Sequence, residues 1–302
     1  MTDQAQFLPA DALRQPGFEF SYAQPGYSMF RKAVIHCLEN LGGKPVIERM
    51  YREWSAAPHY GETIFAAAVR MMDLDVRTDY ARWRAIPASG AVLIVANHPF
   101  GVIAGLTLGH LATLVRKDVK IMAHSLLCQP PEIQPYILPV DFAGTADARR
   151  TSALTRKAAV DWLNDGHVLV VFPAGGVATA AKPFSRRVLE SPWHPFVGRL
   201  LDVPGLTVMP AFFAGQNSPL FQLVSHLSYT LRLSLLIFES MRHFKGNIDV
   251  TLGESISARE LQHEGDRTAK VRKLREMTYR LAGPGGPDWR EEFVWPRHIS
   301  FT

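Results

Sequence analysis

From residue 91 onward the chain alternates short apolar runs with helical stretches, and this alternation narrows the possible folds more than any other feature. The runs are AVLIVA (91–96), VKIMAH (119–124), ILPVDF (137–142), HVLVVFPAGG (167–176, running into a glycine turn), LTVMPAFFAG (206–215) and NIDVTLGESI (247–256). They have strand length and are bounded by Gly, Pro, Asn or Asp. Between them, GLTLGHLATLVR (105–116) and ARRTSALTRKAAVDWLND (148–165, stopped by Gly166) repeat at a helical period. Strands that alternate with helices predict an α/β sandwich, with a mixed, largely parallel sheet flanked by helices.

The flanks read differently. Residues 1–26 are rich in Pro, Gly and Gln and predict an irregular arm. YSMFRKAVIHCLENL (27–41) predicts a helix stopped by Gly42 and Gly43, and two more are expected over 45–57 and 61–74. The last of these is apolar around much of its circumference, which suits a buried or a membrane-facing helix. Residues 257–282 read as helical and charged, and 283–302 as an irregular tail. The expected organisation is therefore an arm with helices (1–75), an α/β unit (76–282) and a tail.

Partner classes follow from charge and run length. The net charge of +5 suits an anionic ligand or an anionic membrane surface. No nucleic-acid motif accompanies it, so nucleic acid is not the expected partner. No signal peptide is visible, and AVLIVA and LSLLIF fall far short of the roughly 20 residues that span a bilayer. Contact with lipid would thus be peripheral, and the expected location is the inner, cytoplasmic face. Cys37 and Cys128 lie far apart, which fits a reducing compartment without disulfides. No metal-ligand spacing, dinucleotide loop or phosphate-binding P-loop appears, so no bound metal or cofactor is expected.

Two strand ends carry the chemistry-bearing residues. The first run leads into Asn97-His98-Pro99-Phe100-Gly101, and the fourth into Phe172-Pro173-Ala174-Gly175-Gly176. An exposed histidine after a strand is a candidate general base, because imidazole titrates near neutral pH. Taken alone, it is more often a helix cap or a group bonded to a backbone carbonyl. Adjacent glycines let backbone N–H groups approach an anion or oxyanion, although such a turn is also an ordinary strand exit.

Four blocks in order resemble the glycerolipid acyltransferase (PlsC-like) superfamily, in its hemolysin-like and lyso-ornithine-lipid acyltransferase branch. They are Asn97 to Gly101, ILPVDFAGTADARR (137–150), Phe172 to Gly175, and VMPAFFAGQNSPLFQ (208–222). The resemblance covers roughly residues 70–260. It implies acyl transfer from acyl carrier protein or a coenzyme A thioester to a lysolipid hydroxyl. His98 would be the base. Asn97, Pro99, Phe100 and Gly101 would shape one wall of the substrate site, and Phe172 to Gly176 the other. The two strand ends, at Ala96 and Phe172, should then lie side by side, with His98 and Gly175 on one cleft.

The departures from the pattern are equally specific. The branch reads His-Pro-Phe-Gly-x-x-Asp-Gly, and its orienting aspartate falls on Ala104 here. Three readings of Ala104 stay open: a substitution that traps an inactive enzyme, a natural pseudo-enzyme, or a carboxylate such as Asp141 or Glu190 supplied in space. Where relatives carry FPEGxRS, Ala174 replaces the acid and Val177 the arginine. Arg149, Arg150, Arg186 and Arg187 are the nearby basic candidates for a head group. The pattern favours a lyso-aminolipid over lysophosphatidic acid. A lipid-binding or scaffold protein on the same fold is the alternative function. Membrane contact would come from Tyr27, Met29, Phe30, Arg31 and Lys32, and from Ile64, Phe65, Val69, Met71 and Met72.

Overall fold

The computed structural model describes residues 21–23, 26–140, 146–296 and 299. Ten strands are assigned among them: β1 (Asp75–Arg77), β2 (Val92–Ala96), β3 (Val119–His124), β4 (Ile137–Val140), β5 (Val168–Val171), β6 (Thr179–Ala180), β7 (Val188–Leu189), β8 (Thr207–Phe213), β9 (Asn247–Leu252) and β10 (Ile256–Ser257). The main sheet runs β1-β9-β8-β2-β5-β3-β4, with β10 antiparallel on β8, and β6 and β7 form a separate hairpin. Every neighbouring pair along that path is parallel except β8 with β9. The sheet is thus mixed and largely parallel.

Eleven helices are assigned among the described residues. They are α1 (Met29–Leu41), α2 (Lys44–Ser55), α3 (Ile64–Met71), α4 (Tyr80–Arg84), α5 (Val102–Val115), α6 (Ala146–Asn164), α7 (Phe196–Leu200), α8 (Pro219–Ser225), α9 (Tyr229–Arg242), α10 (Ala258–Leu261) and α11 (Arg267–Arg280). β2 explains the layering. Strand side chains alternate between faces. Val92, Ile94 and Ala96 enter one core with residues of α3, α4 and α5, while Leu93 and Val95 enter a second with residues of α6, α7 and α11. All five β2 residues are buried because both faces are covered, which is why the run reads as continuously apolar.

α3 belongs to the first core. Phe65 and Met72 are buried, and Gly109 of α5 lets Phe65 approach, since a Cβ there would lie 2.5 Å from the ring. The membrane-facing expectation for Phe65 and Met72 is therefore corrected: helix packing covers both. Met29 and Phe30 at the start of α1 are exposed. α1, α8 and α9 form a third cluster around Ile35, Phe221 and Leu236.

Candidate active site at the strand ends

β2 lies between β5 and β8, with Val95 paired to both Val171 and Pro210. The C-terminal ends of three parallel strands therefore meet, the place where open α/β sheets bind ligands. The polypeptide leaves β2 through Asn97, whose amide bonds the backbone of Phe213 in both directions. Its Nδ2 donates to the Phe213 carbonyl at 2.9 Å, and its Oδ1 accepts from the Phe213 N–H at 2.7 Å. Asn97 ties the end of β2 to the end of β8 and, with Pro99, Ala178 and Glu190, lines a cavity beside the turn.

His98 follows, half-buried, with its backbone held from two sides. Its N–H donates to Oε1 of Glu190, and its carbonyl accepts from the Ala178 N–H at 2.9 Å. The imidazole lies on Phe172, with ring centroids 4.0 Å apart and an interplanar angle of 33°. Its Nδ1 is buried without a hydrogen-bond partner among the described residues. That leaves Nε2 as the nitrogen available to a substrate. Burial, with the positive charge of Arg232 as a lesser cause, pushes its pKa down to about 3. The ring is neutral over the ordinary pH range, so its lone pair is free, but the same shift makes it a weaker base than the near-neutral imidazole the sequence leads one to expect.

Glu190 is the carboxylate beneath the turn. Besides the His98 N–H it accepts from Trp193 Nε1 at 2.9 Å and from the Tyr279 hydroxyl at 2.8 Å, both through Oε2. Burial raises its pKa, while these donors and the charge of Arg275 pull it down. Glu190 thus supports the backbone of His98 and not its ring. Asp141, the other candidate for orienting the ring, lies outside the described residues.

The rest of the turn is packing and backbone geometry. Phe100 is buried against Phe213 and His243, with centroids 6.2 and 4.6 Å away, so it anchors the turn from below. Pro99 is buried beside it. Gly101 has φ +61°, and a Cβ there would lie 3.0 Å from Leu236 and 3.2 Å from Val177, so only glycine fits without strain. It begins α5 without a side-chain cap. Ala104, in the first turn of α5, is fully buried.

The second strand end lies beside the first. Phe172 contacts the histidine ring, the Pro173 carbonyl accepts from the His194 N–H at 2.9 Å, and Gly175, at φ +68°, closes a tight turn onto the Phe172 carbonyl at 3.0 Å. Ala174 packs against the second core, while a Cβ on Gly176 would meet open space. The expected juxtaposition of the two blocks is present, through the Ala178–His98 hydrogen bond and the Phe172–His98 ring contact.

An acyltransferase family model matches residues 50–284. The chain belongs to this family. The acyltransferase match spans α2 to the end of α11 and includes both strand-end blocks. Among solved structures, the chain is similar to the 1-acyl-sn-glycerophosphate (LPA) acyltransferase PlsC from Thermotoga maritima. The two are 17% identical, with 82% of this chain and 80% of that one covered and a TM-score of 0.42. Comparison with curated proteins finds no match.

The arginines singled out from the sequence are spread over the surface. Arg149 and Arg150 are exposed at the start of α6. Arg186 and Arg187 are exposed on the β6–β7 loop, where Arg187 pairs with Glu291 at 2.8 Å. The cation whose charge reaches His98 is instead Arg232, 2% exposed on α9. From the sequence Arg232 reads, with Arg242, His243 and Lys245, as a cation beside the apolar run 231–238 that meets lipid head groups; its burial corrects that expectation.

Proposed function

We propose that the protein moves a fatty acyl chain from an acyl thioester to the hydroxyl of a lysolipid, with His98 as general base. One observation carries this reading: the histidine turn runs straight into the wall of an apolar groove. The groove has about 150 Å³ of space, and its lining includes Met50, Trp54, Ala67, Met71, Ile103 and Ile237. Val102 and Ile103 of α5, the first residues beyond the turn, are part of that lining. A methylene chain gains about 0.8 kcal/mol per buried CH₂ in such surroundings.

The chemistry balances with the groups present. Nε2 of His98 takes the proton of the acceptor hydroxyl as its oxygen attacks the thioester carbonyl carbon. The C–S bond then breaks, and the leaving thiolate takes the proton back from the imidazolium. The products are an ester and a free thiol, of acyl carrier protein or coenzyme A. Val177 and Ala174 in the third block favour an acceptor without a phosphate, hence a lyso-aminolipid over lysophosphatidic acid. Transfer should therefore be faster to the lyso-aminolipid when lysolipid classes are compared with each donor. Preference for lysophosphatidic acid would overturn the acceptor assignment. Replacing Ala67 by Phe should fill the groove and shift the preferred donor toward shorter acyl chains; an unchanged chain-length profile would remove the groove from the donor site.

A second reading, lipid binding without catalysis, is favoured by the unpartnered Nδ1 and by the methyl of Ala104. It predicts lysolipid binding with no turnover even when an aspartate stands at position 104.

Lipid substrates require access to a bilayer, and the exposed apolar residues suggest where. Arg31 of α1 bonds Thr230 of α9, and Ala180 of the β6–β7 hairpin bonds Gln222 and His226 of the α8 region. Met29 and Phe30 at the start of α1, Leu227 after α8 and Phe184 in the β6–β7 loop are all exposed, Phe184 at 84%. Lys182 and Arg186 flank Phe184 and are exposed too. Apolar side chains interspersed with cations suit an anionic interface. Among the described residues no helix is long and apolar enough to cross a membrane. Vesicle sedimentation should show binding that rises with anionic lipid, weakens with salt as screening shortens to roughly 8 Å, and falls in Phe184→Ser. Equal binding to neutral vesicles at all salt concentrations would remove the electrostatic part.

A further inference from the structure

The loop that leaves β5 is held from within by the turn bond of the Gly175 N–H to the Phe172 carbonyl and by the Thr179 hydroxyl, which donates to the Val177 carbonyl at 3.3 Å. It contains Gly175 and Gly176, and Ala174, Val177 and Ala178 have no polar side chain to anchor it. Yet this loop must stay against the histidine turn, because the Ala178 N–H is one of the two hydrogen-bond supports of the His98 backbone.

The anchor comes from a helix more than fifty residues further along. The Arg232 guanidinium donates through Nη2 to the Val177 carbonyl, and through Nη1 to Thr179 Oγ1 at 2.6 Å and Ser225 Oγ at 2.7 Å. Residues 177 and 179 are thus both gripped by one side chain, and residue 178, between them, bonds His98. The guanidinium is covered by the rings of Phe221 and Trp295, at 4.7 and 5.1 Å. All three hydrogen-bond acceptors are neutral, and Arg232 makes no salt bridge among the described residues. A buried cation without a counter-ion is costly, so packing alone is a poor reason for an arginine here.

We propose that Arg232 is a positioning residue that fastens the loop at residues 177–179 to the histidine turn, and through it sets the place of His98 without touching the substrate. The proposal rests on His98 being the reacting base, but its geometry stands apart from which lipid is used. A lysine could not substitute, because its ammonium lacks the planar fork that spans acceptors on two segments. The charge has a second consequence. It adds to burial in keeping the imidazole unprotonated. Among the described residues, the other charged and titratable groups around the turn include Glu190 at the backbone of His98, Tyr279 and Arg275 behind Glu190, His243 on Phe100, Tyr229 beside Arg232, and His194 on the Pro173 carbonyl.

Resting protein is enough for the test: amide hydrogen exchange at Ala178 and NMR titration of the His98 ring, in the wild type, Arg232→Gln, Arg232→Lys and Thr179→Val. In Arg232→Gln, exchange at Ala178 should accelerate and the His98 titration should move upward. In Arg232→Lys the charge stays, so the titration should stay low while Ala178 still loses protection. Thr179→Val removes one acceptor without emptying the core and should loosen Ala178 by itself, so a failure of Arg232→Gln to fold leaves the proposal testable. Wild-type exchange at Ala178 in Thr179→Val and in whichever Arg232 variants fold would overturn it. Where turnover is measurable, loss of the clamp should cost on the order of 10²-fold in kcat, the size expected from misplacing a reacting group by about 1 Å, with KM little changed. A chain that transfers no acyl group at all would sink the functional reading while leaving the exchange and titration results to decide this one.

Discussion

Replacing Ala104 by aspartate is expected to raise the rate of acyl transfer by about 10²–10⁴-fold, mirroring the loss of about 10⁴ when the orienting acid of a catalytic triad is removed. His98 already has a neutral ring, a supported backbone and a neighbouring apolar groove. It lacks a partner for Nδ1 among the described residues. Without one, neither tautomer is favoured, and the imidazolium formed during transfer has no counter-charge. Position 104 lies in the first turn of an uncapped helix, where a carboxylate gains about 0.3–1 kcal/mol from the helix dipole. Burying it is costly unless it is paired, and Nδ1 is the proposed partner. The gain should appear in kcat rather than KM, because the acid acts on the transition state. The pH profile should change as well. The present chain should show no acid limb near 6.5, since His98 titrates at about 3. An aspartate beside the ring favours the charged form and should move the limb upward into the measurable range. Adding His98→Ala should abolish the gain. Brisk turnover without the substitution, and no gain with it, would mean that another carboxylate already orients the ring. Asp141 is then the first suspect, because both oxygens of Glu190 are taken.

The fold was legible where the periodicity was strong. VKIMAH forms β3 over its full length, and AVLIVA and HVLVVFPAGG contain β2 and β5. The two-residue strands β6 and β7 carry no period to read, and the hairpin they form carries the exposed Phe184. The histidine turn and its neighbour on β5 could be found because each is a local motif. Their supports could not, because the partners are remote in sequence: Glu190 is 92 residues from His98, and Phe213 is 116 from Asn97. Sequence therefore read Asn97 and Phe100 as shaping the substrate wall, whereas the amide of the one also bonds β8 and the ring of the other lies in the core. It placed Glu190 near the histidine but could not say that the carboxylate meets the backbone. Arg186 and Arg187 stand out in the sequence as a pair, yet the guanidinium buried near His98 is that of Arg232. A single cation at the head of an apolar run gives no hint of which loop it will hold.

Replacing Glu190 by alanine should be among the most destabilising single changes in this chain, at about 3–5 kcal/mol. Three buried or half-buried donors lose their acceptor together: the His98 N–H, Trp193 Nε1 and the Tyr279 hydroxyl. Each unsatisfied donor costs about 1–3 kcal/mol, and a cavity adds to that. Glutamine should cost less. Its one carbonyl oxygen can serve either the His98 side or the Trp193–Tyr279 side, and its NH₂ then faces a donor. Denaturant unfolding would read both losses, with an unchanged m-value showing that the native state stayed compact. The pH dependence separates the charge from the shape. His98, with its folded pKa below the ordinary 6.5, binds fewer protons folded than unfolded. Its contribution is therefore present above 6.5, is lost as pH falls toward 3, and makes stability rise with pH in that window. Glu190, with its pKa raised above 4.5, binds more protons when folded and opposes that rise. Glu190→Gln removes the opposing part, so stability should climb more steeply with pH between about 4.5 and 6.5 than in the wild type. A loss below 1 kcal/mol in Glu190→Ala, with an unaltered pH slope in Glu190→Gln, would show that the turn holds His98 without this carboxylate.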